Sequence, residues 1–247
     1  MHLPRASWFF WVAAIAIAQP RPAGLPEGAL IVETREIPQS VRADRMLVLW
    51  MDHFERIDRH PPKGAEQYAY TCPELTTGSG YYQGEARISL VDTRSNRVVN
   101  TLKIISNDGG DSFDIPFRIA PGHYEVPGPL DHGEGKPVLL ALKDYNGDGL
   151  ALEFAFFQAE ACMGLPTALL GYSVKQDRVI WYELDMEGPR GRRMFWRWVD
   201  YLFAKEPIKP GYWKYSIDYS GRCVGAGSCI ERFEIRYDPE HEIFRGK

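Results

Sequence analysis

From Trp213 to Tyr219 every second residue is aromatic or aliphatic (Trp213, Tyr215, Ile217, Tyr219), with Lys214, Ser216 and Asp218 between them. Phe233, Ile235 and Tyr237 repeat the pattern against Arg232, Glu234 and Arg236. Successive side chains of an extended strand point to opposite faces, so a period of two describes a sheet with one packed and one wet face. A helix brings residues three or four apart onto one face and cannot present such a stripe. Both segments are therefore expected as half-buried antiparallel strands.

Most of the chain follows suit. Ala86, Ile88 and Leu90 share a face, the turn-like Arg94-Ser95-Asn96 follows, and Arg97–Ile104 returns as the second arm of a hairpin. Asn107–Gly110 supplies another reversal before the strand-like Phe113–Ile119. Further strands are expected at Met46–Trp50, Gln67–Cys72, Val138–Leu142, Leu150–Phe157, Leu169–Val174 and Val179–Leu184. With 23 Gly and 18 Pro, turns are frequent. About ten short strands between turn signals predict an all-β fold with minor α content, an antiparallel β-sandwich or distorted barrel. One short amphipathic helix is predicted over Arg192–Ala204, where Phe195, Trp198, Val199 and Leu202 fall on one face.

The N-terminus reads as an address. His2 and Arg5 precede the uncharged apolar run Trp8–Ala18, and Ala16-Ile17-Ala18 places small residues where a signal peptidase accepts them. That run rises only about 16 Å as a helix, against a hydrocarbon core of about 30 Å, so a cleaved signal is expected rather than a stable membrane anchor. Residues 1–18 are read as a signal peptide, 19–28 as an extended leader, and 29–247 as a single β-rich domain. The location implied is secreted or periplasmic.

Export gives the four cysteines meaning, because an oxidising compartment lets them pair. Four cysteines allow three pairings; Cys223 and Cys229 flank a flexible five-residue segment able to close a small loop, a pairing that would leave Cys72 and Cys162 as a long-range staple. Closing that long loop is worth about 4–5 kcal/mol on the chain-entropy model. No C-x-x-C spacing points to zinc. The net charge of -4 argues against nucleic acid as a partner, since general binding of that kind needs a concentrated positive surface.

The segment that carries chemistry is Lys143-Asp144-Tyr145-Asn146-Gly147-Asp148-Gly149-Leu150-Ala151-Leu152-Glu153-Phe154. Oxygen-bearing side chains stand at alternate positions, and a Gly sits at the bend. A hard cation such as Ca2+ requires roughly six to eight oxygens converging at about 2.3–2.6 Å, which a loop of this kind can wrap. The D-x-N-G-D-G run resembles the calcium loops of EF-hands and of FG-GAP-type β-propeller repeats. That resemblance covers about a dozen residues. It implies Asp144, Asn146 and Asp148 as side-chain ligands and Leu150 as a backbone carbonyl ligand. An EF-hand carries Glu at the twelfth position, where this chain has Ala155, and an FG-GAP loop carries an acid at the ninth, where it has Leu152. Glu153, one residue later, completes the shell if the following strand starts with a bulge, whereas in-line alternation points it away from Leu152 and Phe154. The strand-like flanks favour strand–loop–strand over helix–loop–helix. The same residues also form tight turns that bind nothing. A full propeller needs its unit repeated at a fixed period, and each motif occurs once.

No complete catalytic signature is present. Asp52, His53, Glu55, Asp58 and His60 form a polar cluster, while His123, Glu125, Asp131, His132 and Glu134 lie in a Pro/Gly-rich loop just before the calcium-like segment. Two function classes follow. One is an exported, calcium-binding module that binds a protein or carbohydrate or plays a structural part. The alternative is a secreted hydrolase with a calcium-stabilised fold.

Overall fold

The computed structural model describes residues 21–58, 80–105, 112–115, 139–157, 167–187, 191–193, 195–196, 208–218 and 230–247. The signal segment, Gln67–Cys72 and all four cysteines lie outside these residues, as does the His123–Glu134 loop.

Three open sheets make up the described fold. The front sheet runs β1 (Leu30–Glu36), β2 (Arg45–Asp58), β3 (Gly80–Asp92) and β4 (Arg97–Lys103), with β5 (Ser112–Ile115) also on β3. The four-residue helix α1 (Gln39–Arg42) joins its first two strands. The central sheet holds β6 (Glu153–Phe157), β7 (Thr167–Ser173), β8 (Arg178–Trp181) and β11 (Phe195–Trp196). The C-terminal sheet is built from β9 (Leu184–Met186), β10 (Gly191–Arg193), β12 (Tyr212–Asp218), β13 (Ile230–Asp238) and β14 (Ile243–Gly246). Every pairing is antiparallel except that of β14 with β9. The all-β class with minor α content holds, and none of the sheets closes into a barrel.

Alternation decides which residues meet between the layers. Leu47, Leu49 and Met51 of β2 and Ala86, Ile88 and Leu90 of β3 share one buried core with Phe154, Phe156, Ala168, Leu170 and Tyr172 of the central sheet. Leu169 points the other way, into a second core with Tyr182, Leu184, Trp213, Phe233, Ile235 and Phe244. The central sheet is thus buried on both faces, which is why Ala168–Tyr172 reads as an unbroken apolar run. Each such side chain contributes about 1.5–3 kcal/mol relative to exposure. On the outer face of the front sheet, Met46, Val48, Trp50 and Val91 pack against Leu25 and Ala29 of the leading segment. That segment is turned and docked rather than simply extended. Ala23 bridges Arg97, and the Arg21 guanidinium donates to the Glu27 and Ala29 carbonyls at 2.6 and 2.8 Å.

Two expectations are corrected. The helix over Arg192–Ala204 is not formed at its start, since residues 191–193 pair with β9, and Phe195 and Trp196 pair with Ala168 and Thr167. Ladder hydrogen bonds to two sheet edges outweigh the helical spacing of the apolar residues there, and residues 197–204 lie outside the described set. Of Val138–Leu142, the described residues 139–142 are likewise not a strand. Leu139 and Leu140 form a buried turn whose amides donate to the Glu33 carboxylate at 2.6 and 3.3 Å. Its apolar character reflects burial, not pairing. The structure also adds β1 and β14, which the alternation did not reveal.

Candidate metal centre

Asp144–Leu152 form a loop closed by a two-way backbone pair. Lys143 N donates to Glu153 O at 2.8 Å, and Glu153 N donates to Lys143 O at 3.1 Å. The second flank is β6, and the entering flank is this single bridge, so the loop leads from bridge to strand and not between helices. The residues of the loop fasten it from within. Asp144 accepts from Gly147 N at 2.7 Å and Gly149 N at 3.0 Å, Asn146 Oδ1 accepts from Asp148 N at 2.8 Å, and Asp148 Oδ1 accepts from Leu150 N at 2.8 Å. These are Asx-type bonds that bend the chain around its own side-chain oxygens. The Leu150 carbonyl accepts from Leu152 N at 3.1 Å.

Glu153 closes the arrangement. The β6–β7 register continues without a bulge, so Leu152, Phe154 and Phe156 enter the front core while Glu153 points to the opposite face. The loop curls over that face. Simple alternation therefore brings Glu153 to the loop without the bulge expected from the sequence. Its side chain is fully buried. Oε2 accepts from Tyr145 N at 2.9 Å and Asn146 N at 3.2 Å, and Oε1 accepts from Asn146 Nδ2 at 3.0 Å and the Tyr182 hydroxyl at 3.3 Å. The same Asn146 Nδ2 donates to Asp148 Oδ2 at 3.1 Å, so one amide group stands between two carboxylates.

The electrostatics are one-sided. Burial pushes the Glu153 carboxyl up to about 8; the Tyr145 and Asn146 amides pull it down, and the charges of Asp148 and Asp144 add to the rise. The phenols of Tyr145 and Tyr182 are raised by burial first and by Glu153 second. Among the described residues no Lys or Arg forms an ion pair with Asp144, Asp148 or Glu153. As they stand, no three His, Cys, Asp or Glu side chains among the described residues are gathered closely enough to hold a metal ion. The reason is visible in the bonds above, because each acid of the loop is turned onto an amide. A cleft of about 440 Å3 is lined by Asn146–Asp148 together with Pro210, Tyr212 and Tyr237. It supplies an entry path.

Sequence reasoning did not find Tyr145 and Tyr182 as neighbours of the buried acid. Nor did it find the Lys209–Gly211 turn, against which the loop rests. A Pro-Gly pair announces a turn, but its partner is more than sixty residues away in the chain.

The described part of the Asp52–His60 cluster has a different character; His60 lies outside the described residues. Asp52, His53 and Glu55 lie at an irregularity of β2, with His53 at a φ of 46°. The His53 ring nitrogen Nδ1 is 3.7 Å from both Asp52 and Glu85, and Glu85 is already paired with Arg87 and with Lys103 at 3.5 Å. That is a wet, internally neutralised patch. No protein-family model, curated protein or solved structure matches this chain.

Proposed function

We propose that this is an exported calcium-binding β-rich protein serving as a binding or structural module, with a protein or carbohydrate as its partner. The ligand set is Asp144, Asn146, Asp148, the Leu150 carbonyl and Glu153. The observation that carries the reading is the fully buried Glu153 carboxylate, facing two further acids with no cationic side chain paired to any of them among the described residues. Ionising a carboxyl buried this deeply is costly unless a cation or a metal pairs with it. Here only the dipole of the Asn146 amide stands between Asp148 and Glu153. Rotation of that amide presents its oxygen in place of its nitrogen, and a divalent ion then replaces a dipole with a full charge. The Leu150 carbonyl keeps a second lone pair, and water entering by the cleft completes the six to eight oxygens that calcium requires. Carboxylate and carbonyl donors select a hard ion over zinc or copper. Export rests on the Trp8–Ala18 run and the small residues that end it.

The test is thermal melting of the mature chain in calcium and in chelator, with elemental analysis of the purified protein alongside. Calcium at 100 times its dissociation constant adds about 2.7 kcal/mol of stability. An unchanged midpoint, or an Asp148→Ala variant that still responds fully, overturns the assignment.

A further inference from the structure

We infer that cation binding at this loop governs how the corner of the C-terminal sheet at the start of β12 docks on the central sheet. The inference rests on the calcium reading above and adds a mechanical output to it.

The loop and the Lys209–Gly211 turn touch backbone to backbone. Gly147 has a φ of 80° and Gly211 a φ of 71°. A Cβ on Gly147 would lie 2.4 Å from the Pro210 carbonyl, and one on Gly211 would lie 2.1 Å from the Asn146 carbonyl oxygen. Neither contact has room for a methyl group, so a shift of a few tenths of an ångström on one side must be met by the other. Asn146 belongs to both halves of this arrangement. Its carbonyl oxygen occupies the space a Gly211 side chain would need, while its side-chain amide joins Asp148 to Glu153. The turn is tied in its own right to the C-terminal sheet: Tyr237 N donates to Gly211 O at 2.9 Å, and Tyr212 N donates to Lys209 O at 2.9 Å. Any force that spreads the three acids therefore moves Asn146, and with it the seat of β12.

The same end of the C-terminal sheet has a second fastening that does not pass through the loop. Glu242, in the β13–β14 turn, accepts from Ser173 Oγ at 2.5 Å and Gln176 Nε2 at 2.7 Å, and Lys175 donates to Glu240 O at 2.7 Å. One corner is thus held by Ser173, Lys175 and Gln176 and the other by the loop. Coupling of this kind is reciprocal, so whatever loosens the corner weakens the ion by the same factor.

Hydrogen exchange on the full chain, with excess calcium and with chelator, reads the corner directly, and calorimetric titration of calcium is run in parallel. Exchange of the amides of residues 208, 209, 211–213 and 235–237 is expected to slow with calcium by about tenfold more than that of the front-sheet amides 47–50 and 87–91. Gly211→Ala is expected to lower calcium affinity by about tenfold and to abolish that excess protection. If calcium binds but protection rises equally in both regions, the docking inference is overturned while the calcium site stands. If calorimetry shows no binding, the site itself fails and the inference falls with it. The wild-type exchange comparison decides the matter even if Gly211→Ala does not fold.

Discussion

The two faces of the central sheet each carry an acidic centre built round one buried residue, Arg45 in front and Glu153 behind, and the two are neutralised in opposite ways. On the front face Arg45, itself nearly inaccessible, binds Asp177 through two nitrogens at 2.9 and 2.6 Å, Asp92 at 2.8 Å and Asp44 at 3.2 Å. The Tyr172 hydroxyl donates to Asp177 at 2.8 Å. On the back face Glu153, Asp148 and Asp144 have amide and hydroxyl donors but no cationic partner among the described residues. Hydrogen bonding to Arg45 holds Asp177 below the usual carboxylate range, and the Ser95 amide does most to lower Asp92. Glu153 moves the other way, up to about 8, chiefly through burial. The front centre supplies its own cation and is a structural rivet between two sheets. The back one has the donors of a site and lacks the charge.

Removing the rivet is the largest expected perturbation. Arg45→Met leaves three carboxylates facing one another and is expected to destabilise the fold by about 3 kcal/mol, measured by denaturant unfolding, whether or not calcium is present. A similar loss confined to chelator would erase the contrast between the centres.

Glu153→Gln comes next, and its effect changes sign with the ion. It is expected to remove the calcium-dependent gain of about 2.7 kcal/mol at 100 times the dissociation constant. In chelator at pH 8 it is expected to raise the melting temperature, because a buried charge has been replaced by a neutral amide. If the variant melts lower in both conditions, Glu153 is structural only.

The pH response separates the two faces by direction. In cation-free protein the folded state holds a proton on Glu153 between the unfolded value of about 4.3 and the folded value of about 8. The unfolded chain has already released it, so stability falls as pH rises through that window. Asp177 and Asp92 are lowered on folding, so their contribution is present above about 4 and is lost as pH falls below it. Melting between pH 5 and 8 in chelator is expected to show a downward slope that Glu153→Gln removes and that saturating calcium flattens. A slope equal in wild type and variant would assign it to other groups.

The smallest effect is Tyr182→Phe, which deletes one long hydrogen bond to Glu153. It is expected to cost about 0.5–1 kcal/mol in chelator, read from the unfolding midpoint.

The sequence made some of this legible and hid the rest for identifiable reasons. Trp213–Asp218 and Arg232–Tyr237 announced themselves because a sheet wet on one face writes its geometry as alternation. β7 gave an apolar run because it is buried on both faces. Leu139 and Leu140 misled as a strand because a turn capped by Glu33 is equally buried. The spacing of Asp144, Asn146 and Asp148 was readable locally. The position of Glu153 was left open, since it depends on the loop curling over the face to which alternation assigns that residue. The contact of Gly147 with Pro210 joins segments that only the packing of two sheets brings together.

Asn100 shows what one buried side chain can do for solubility. Its amide donates to the Val179 carbonyl at 2.9 Å, and its oxygen accepts from the Val179 amide at 3.0 Å, so both backbone groups of an edge residue of β8 are engaged. A foreign strand seeking to extend that edge finds its hydrogen-bonding register interrupted at Val179. An unpaired rim invites pairing by other chains, and here, among the described residues, a single amide lent across from β4 occupies it at Val179.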